Sequence, residues 1–247
     1  MKRFTPQQFT DILNKHKKWQ NKEAEGERAD LRGADLIDVD LNGADLSGAD
    51  LSGANLDNAG LIGTDLRNAN LTRADLYDTD LMAADLDGAN LNNAELIGAD
   101  LRNANLNKAD LRAAILTKAD LRGASLVFAN LSNAQLSAAD LRGARLNDAD
   151  LSFAMLIEAD LSNVDLTEAN LSNANLSNAL LTEANLIYAD LTEANLSNAD
   201  LTNADLSNAD LTWANLNSAN LTKADLNNAN MTEANLFSAN RSGTLGL

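Results

Sequence analysis

The chain has 247 residues, a formal net charge of −17 and no cysteine, so disulfides, zinc–thiolate sites and thiol nucleophiles are excluded. It holds a single histidine and a single proline, and no apolar run is long enough for a membrane-spanning helix. The opening Met1-Lys2-Arg3-Phe4-Thr5 also lacks the apolar stretch of a signal peptide, so a cytoplasmic protein is expected.

The first predicted element is a helix over residues 6–24. Thr5 reads as its N-cap, Pro6 as its first residue and Gln8 as the capping-box partner. Phe9, Ile12, Leu13, His16 and Trp19 recur at helical spacing, and Gly26 is expected to end the segment. Its apolar stripe suits a lid, while Lys15, Lys17, Lys18 and Lys22 give a basic outer side. A membrane-surface or nucleic-acid helix is the alternative, but the interspersed acids make the segment too mild for a polybasic anchor. His16 sits among apolar neighbours and reads as a packed histidine rather than a base.

From Leu31 to Leu236 every fifth residue is leucine except Met231, with no insertion or deletion. Two places earlier stands a small residue, nearly always alanine, with Val39, Thr64, Thr79 and Val164 as the departures. A period of five fits neither the 3.6 of a helix nor the 2 of a flat strand. It fits a backbone that turns a corner after each unit. Four units then make a twenty-residue coil, with alanine and leucine inside and the Asp or Asn between them outside. The only proline lies outside the repeats, as expected where each amide is needed for coil-to-coil pairing.

Units such as Ala44-Asp45-Leu46-Ser47-Gly48, Ala54-Asn55-Leu56-Asp57-Asn58 and Ala204-Asp205-Leu206-Ser207-Asn208 resemble the pentapeptide-repeat family, whose pattern is Ala-(Asp/Asn)-Leu-x-x. The resemblance implies an all-β solenoid, a right-handed quadrilateral β-helix. At twenty residues per coil it would have about ten coils and be roughly 50 Å long. The expected organisation is an N-terminal α-helical cap over residues 1–26, the β-helix over 27–241 and a short tail over 242–247.

Folding the sequence at twenty residues sorts outward positions into four faces, all of them acidic. On the second face, counted from the series that begins at Leu36, the polar pattern gives way to Tyr77, Ile97, Ile115, Met155 and Ile157, with Phe153 at the neighbouring corner. Ile115 and Met155 occupy slots normally given to Asp or Asn. Breaks from a repeat rule are where something other than folding shows, and an apolar patch is what a partner site needs. Drift on a stable scaffold is the competing explanation. On the third face Asp80, Asp100, Asp120, Asp140 and Asp160 recur one coil apart, with Arg102, Arg122 and Arg142 two residues beyond the middle three. An ion ladder is expected there, since interleaved arginines offset like-charge repulsion. A cation site or charged docking strip is the alternative.

No phosphate loop, nucleophile elbow or metal-spaced cluster appears, and a convex rod offers no pocket, so no enzyme activity and no cofactor are expected. The expected function is a noncatalytic protein-interaction scaffold with an unidentified protein partner. No membrane binding and no direct nucleic-acid binding by the rod are expected. The alternative comes from the resemblance: some family members act as DNA mimics that bind DNA gyrase and protect against quinolones. Against it, this chain has neither the C-terminal dimer helix nor the protruding loops of those members. The glycine-rich end after Phe237 suggests a sparsely covered last coil and an end-to-end homodimer. Crowded Asn-Leu-Ser/Thr triplets such as Asn130-Leu131-Ser132 argue for a bacterial source over a eukaryotic secretory one.

Overall fold

The computed structural model describes residues 2–247. Its one helix among these residues is α1, Pro6–Gln20, started by a reciprocal capping box. The Gln8 N–H donates to Thr5 Oγ1 at 3.2 Å, and the Thr5 N–H donates to Gln8 Oε1 at 2.9 Å. The helix ends earlier than its sequence suggests. Asn21 is the C-cap, and its N–H returns to the carbonyl of Lys17. Lys22 and Glu25 then adopt left-handed backbone conformations that turn the chain. Gly26 does not stop the helix; it lets the chain pass directly against it. A Cβ there would lie 2.4 Å from the backbone nitrogen of Trp19.

Beyond α1 the chain winds into a column. Parallel bridges join residues exactly one coil apart, from Asp30↔Asp50 through Asp120↔Asp140 to Asp225↔Leu245. Pairing therefore runs past residue 241, and the tail residues up to Leu245 belong to the stack. At the other end Lys2 pairs with Ala34, so the start of the chain adds a short extended piece to the first coil.

Corners explain why five residues make one side. Every fifth position from Gly33 to Gly243 has φ near +60°, whether glycine, asparagine or a bulky residue. The alanine N–H then reaches back to the leucine carbonyl three residues earlier, as in Ala54 to Leu51 at 2.9 Å. Positive φ at only the second central position is the signature of a type II turn. Glycine and asparagine tolerate it best, which accounts for their abundance at these corners.

The remaining amides of each unit are satisfied in a fixed pattern. Leu51 N–H donates up to Asn70 O at 2.8 Å, Asp50 N–H down to Ala29 O at 3.0 Å, and Gly53 N–H up to Thr72 O at 2.9 Å. That leaves one amide per unit, the one after leucine. The outward Asp or Asn two residues before it supplies the acceptor, as in Ser52 N–H to Asp50 Oδ1 at 3.1 Å. The Asp/Asn of the repeat thus completes the main-chain hydrogen bonding. Its charge is incidental to that task, since either residue performs it.

Inside, alanine and leucine fill one continuous core from Ala29 to Leu226. Burying each leucine contributes about 1.5–3 kcal/mol. Thr64 and Thr79 replace alanine without leaving an orphan hydroxyl: they donate to Leu41 O at 2.9 Å and Leu56 O at 2.8 Å. Phe4, Phe9, Ile12 and Leu13 of the N-terminal segment pack against the first coils of this core.

Candidate interaction surface

The structure places the six apolar candidates on adjoining parts of the second face and its corner, in two groups. Tyr77 and Ile97 lie one coil apart, and the Asp78 N–H donates to the Ile97 carbonyl at 3.0 Å. Ile115 pairs with Glu95, so it stands beside Ile97 in the next coil. Met155 pairs with Gln135, which separates it from Ile115. Phe153, Met155 and Ile157 all lie within one five-residue stretch. Tyr77, Phe153 and Met155 are 46%, 57% and 43% exposed, whereas Ile97, Ile115 and Ile157 are half-buried. The patch is therefore an upper and a lower apolar group with the Gln135/Ser137 coil between them.

On the third face the acidic residues stand in one column, one per coil. Bridges connect Asp80, Asp100, Asp120, Asp140 and Asp160 in sequence. Arg122 forks back onto its own Asp120, with Nε to Oδ1 at 2.8 Å and Nη2 to Oδ2 at 2.5 Å, and its Nε lies 3.5 Å from Asp140 of the next coil. Arg142 likewise holds Asp140 and reaches Asp160 at 3.5 Å. Arg102 pairs with Asp100 and lies 3.7 Å from Asp120. Asp80 has no arginine of its own; its Oδ1 accepts the Met82 N–H at 3.1 Å. The hydrogen bonds from Arg102 and Arg142 hold the Asp100 and Asp140 carboxyls below the usual carboxylate range.

The same fork recurs away from this column, as Arg67 on Asp65 and Arg112 on Asp110. It follows from local geometry: a residue just after leucine lies beside the Asx that receives its amide. Sequence reading treated the arginines as interleaved between coils and missed this intraunit fork. Among the described residues no group of His, Asp or Glu side chains is arranged to hold a metal ion.

At the N-terminal end His16 is fully buried, stacked on Trp19 with ring centroids 5.4 Å apart. Its Nδ1 accepts the Ala29 N–H at 3.1 Å. Burial pushes the imidazole pKa down, opposed by the nearby Asp45 carboxylate and the Ser47 carbonyl. Gln20 ties the same helix to the fourth side of the first coil through Asp45 Oδ1 at 2.6 Å and Ser47 Oγ at 2.9 Å. A groove of about 400 Å³ lies between α1 and the first coil, lined by Phe4, Ile12, Lys15 and Arg28 among others. At the far end Phe237 and Leu245 are exposed, while Met231 and Leu236 are half-buried. No described helix is long and apolar enough to cross a membrane.

The family model for pentapeptide repeats matches the chain repeatedly between residues 27 and 244. No curated protein matches. Among solved structures, the chain is similar to HetL, a pentapeptide repeat protein involved in heterocyst differentiation regulation from the cyanobacterium Nostoc sp. strain PCC 7120. The two are 35% identical over 98% of this chain and 96% of HetL, with a TM-score of 0.52. It is also similar to Rfr23, a pentapeptide repeat protein from the cyanobacterium Cyanothece 51142, at 41% identity over 37% of this chain and 63% of that one, with a TM-score of 0.36. QnrB1, a plasmid-mediated fluoroquinolone resistance protein, is 18% identical over 73% of this chain and 90% of its own, with a TM-score of 0.38. Pentapeptide-repeat proteins form right-handed quadrilateral β-helices, the architecture to which these four-cornered stacked coils correspond. With the repeat model spanning nearly all of the column and HetL aligned from end to end, the chain belongs to the pentapeptide-repeat family.

Proposed function

We propose that the chain is a noncatalytic scaffold that binds a protein partner through the second face of its column, with α1 closing the N-terminal end of the core. The observation that carries this reading is the replacement of polar outward residues by Ile97, Ile115, Met155 and Ile157 on one face. The regulatory description of HetL, a relative of matching length, supports action through binding. The acidic residues favour the DNA-mimic alternative less than their number suggests, because the fold uses most Asp and Asn residues between alanine and leucine as amide acceptors.

The test is capture of the native partner from the source organism by the parent chain and by Ile97→Asp/Ile115→Asp/Ile157→Asp. Loss of one defined partner in the triple variant is expected, and undiminished capture contradicts the reading. Protection or inhibition of gyrase in a supercoiling assay, weakening as salt rises, would favour the mimic instead. An end-to-end homodimer through the coil bearing Phe237 and Leu245 belongs to the same proposal. A monomeric mass at micromolar concentration contradicts that part.

A further inference from the structure

In most units the amide after leucine is capped by the Asp or Asn two residues before it. On the second face this cap is lost in four successive coils, where the slot holds Glu95, Ile115, Gln135 and Met155. Directly below and above, the cap is intact: Tyr77 N–H donates to Asp75 Oδ1 at 3.2 Å, and Ser177 N–H to Asn175 Oδ1 at 3.1 Å. Between them the amides of Ile97, Thr117, Ser137 and Ile157 have no acceptor within the chain among the described residues. Elsewhere a lost cap is single or replaced. Asn42 Oδ1 accepts the Ile62 N–H at 2.7 Å where Gly60 stands, and Asn107 Oδ1 accepts the Val127 N–H at 2.9 Å where Ser125 stands.

We propose that this column of four main-chain donors, with its apolar flanks, binds an amphipathic helix of a protein partner. The helix lies along the rod axis and presents uncharged acceptors, Asn or Gln carboxamides, one per turn among aliphatic residues. This rests on the scaffold reading above and names the partner's chemistry.

Three physical arguments select that occupant. Neighbouring coils are about 4.8 Å apart, so four amides span about 14 Å. Side chains one turn apart on a helix repeat at about 5.4 Å and span about 16 Å, a misfit below 1 Å at either end when centred. Alternate residues of an extended strand repeat at about 6.7 Å and overshoot by several ångströms. The second argument is chemical: the column offers only donors, so its complement offers acceptors, while Ile97, Ile115 and Ile157 require aliphatic contacts. Charge supplies the third. The four coils carry Glu95, Lys118 and Glu158 on this face and corner, a strip with a net charge of −1 on a chain of net charge −17. A carboxylate-rich helix is repelled by the rod as a whole, and uncharged carboxamides escape that penalty.

The experiment uses the full chain, uniformly labelled with nitrogen-15, and a lactam-bridged helical peptide carrying glutamine at four positions one turn apart between leucines. Titration is expected to move the amide resonances of Ile97, Thr117, Ser137 and Ile157. Glu95→Asn/Gln135→Asn restores two caps while leaving every apolar residue in place, and it is expected to weaken binding about tenfold. Absent shifts, shifts centred on another face, or equal binding by the double variant overturn the proposal. Equal binding of a peptide with glutamate in place of glutamine overturns its uncharged character. If the peptide fails while native capture is still lost in the triple aspartate variant, the scaffold reading stands and the helix assignment falls.

Discussion

His16 Nδ1 accepts the main-chain N–H of Ala29 at 3.1 Å, which requires an unprotonated nitrogen at the junction between α1 and the first coil. Burial is the main cause that lowers the His16 pKa from its ordinary 6.5. A depressed folded-state pKa means that the stabilisation is present above pH 6.5. It is lost as pH falls through the folded value, because the unfolded ring takes up its proton first. Amide exchange protection of α1 is therefore expected to fall between pH 7.5 and pH 5. The coils beyond Leu46 should keep theirs, since neighbouring repeats contribute separately. Protection of α1 that is flat over this range contradicts the assignment.

Asp190 Oδ1 caps the Thr192 N–H at 2.9 Å. Asp190→Asn keeps an acceptor and should leave stability nearly unchanged. Asp190→Ala removes it and should cost about 1 kcal/mol. Local hydrogen exchange around Thr192 measures both. Equal effects of the two variants would show that the charge matters more than the cap.

Gly53 has φ +62°, and nothing lies within 4 Å of the place its Cβ would occupy. Any cost of substitution there is backbone strain alone. Gly53→Val is expected to destabilise by about 1–2 kcal/mol, and Gly53→Asn by much less. Chemical denaturation that ranks the two equally would contradict the corner conformation.

Arg102, Arg122 and Arg142 are all 40–50% exposed at the side chain, so their ion pairs contribute little stability at neutral pH. Replacing all three with Gln should shift the midpoint of unfolding only slightly. It should also return the Asp100 and Asp140 carboxyls toward the ordinary carboxylate range, as read by carbon-detected NMR titration. The depressed values make the arginine contribution present above about pH 4 and lost as pH falls below it. Unmoved titrations would remove the arginine forks as the cause.

Much of the architecture is legible in the sequence. An unbroken leucine every fifth residue cannot line one side of a helix, and Thr5 with Gln8 marks the start of α1 as the structure has it. The helix end was less legible because no proline or left-handed glycine marks it; Gly26 serves close packing against Trp19 instead. The left-handed corners were encoded in the recurrence of glycine and asparagine at Gly48, Gly53, Asn58 and their equivalents, a signal overlooked because asparagine also suits outward ladders. Folding at twenty residues already puts Gln135 between Ile115 and Met155, and the pairing agrees; what type alone does not give is that Ile97, Ile115 and Ile157 are half-buried. The four lost caps were invisible until the acceptor role of the outward Asp or Asn was known.

Amide hydrogen exchange of the free protein at single-residue resolution tests the account most directly. Uncapped, the N–H groups of Ile97, Thr117, Ser137 and Ile157 should exchange at least tenfold faster than those of Tyr77 and Ser177 on the same face. The adjacent Leu96, Leu116, Leu136 and Leu156 amides should stay protected by their coil-to-coil bonds. Four uncapped amides as slow as Tyr77 and Ser177 would mean that the column of free donors does not exist.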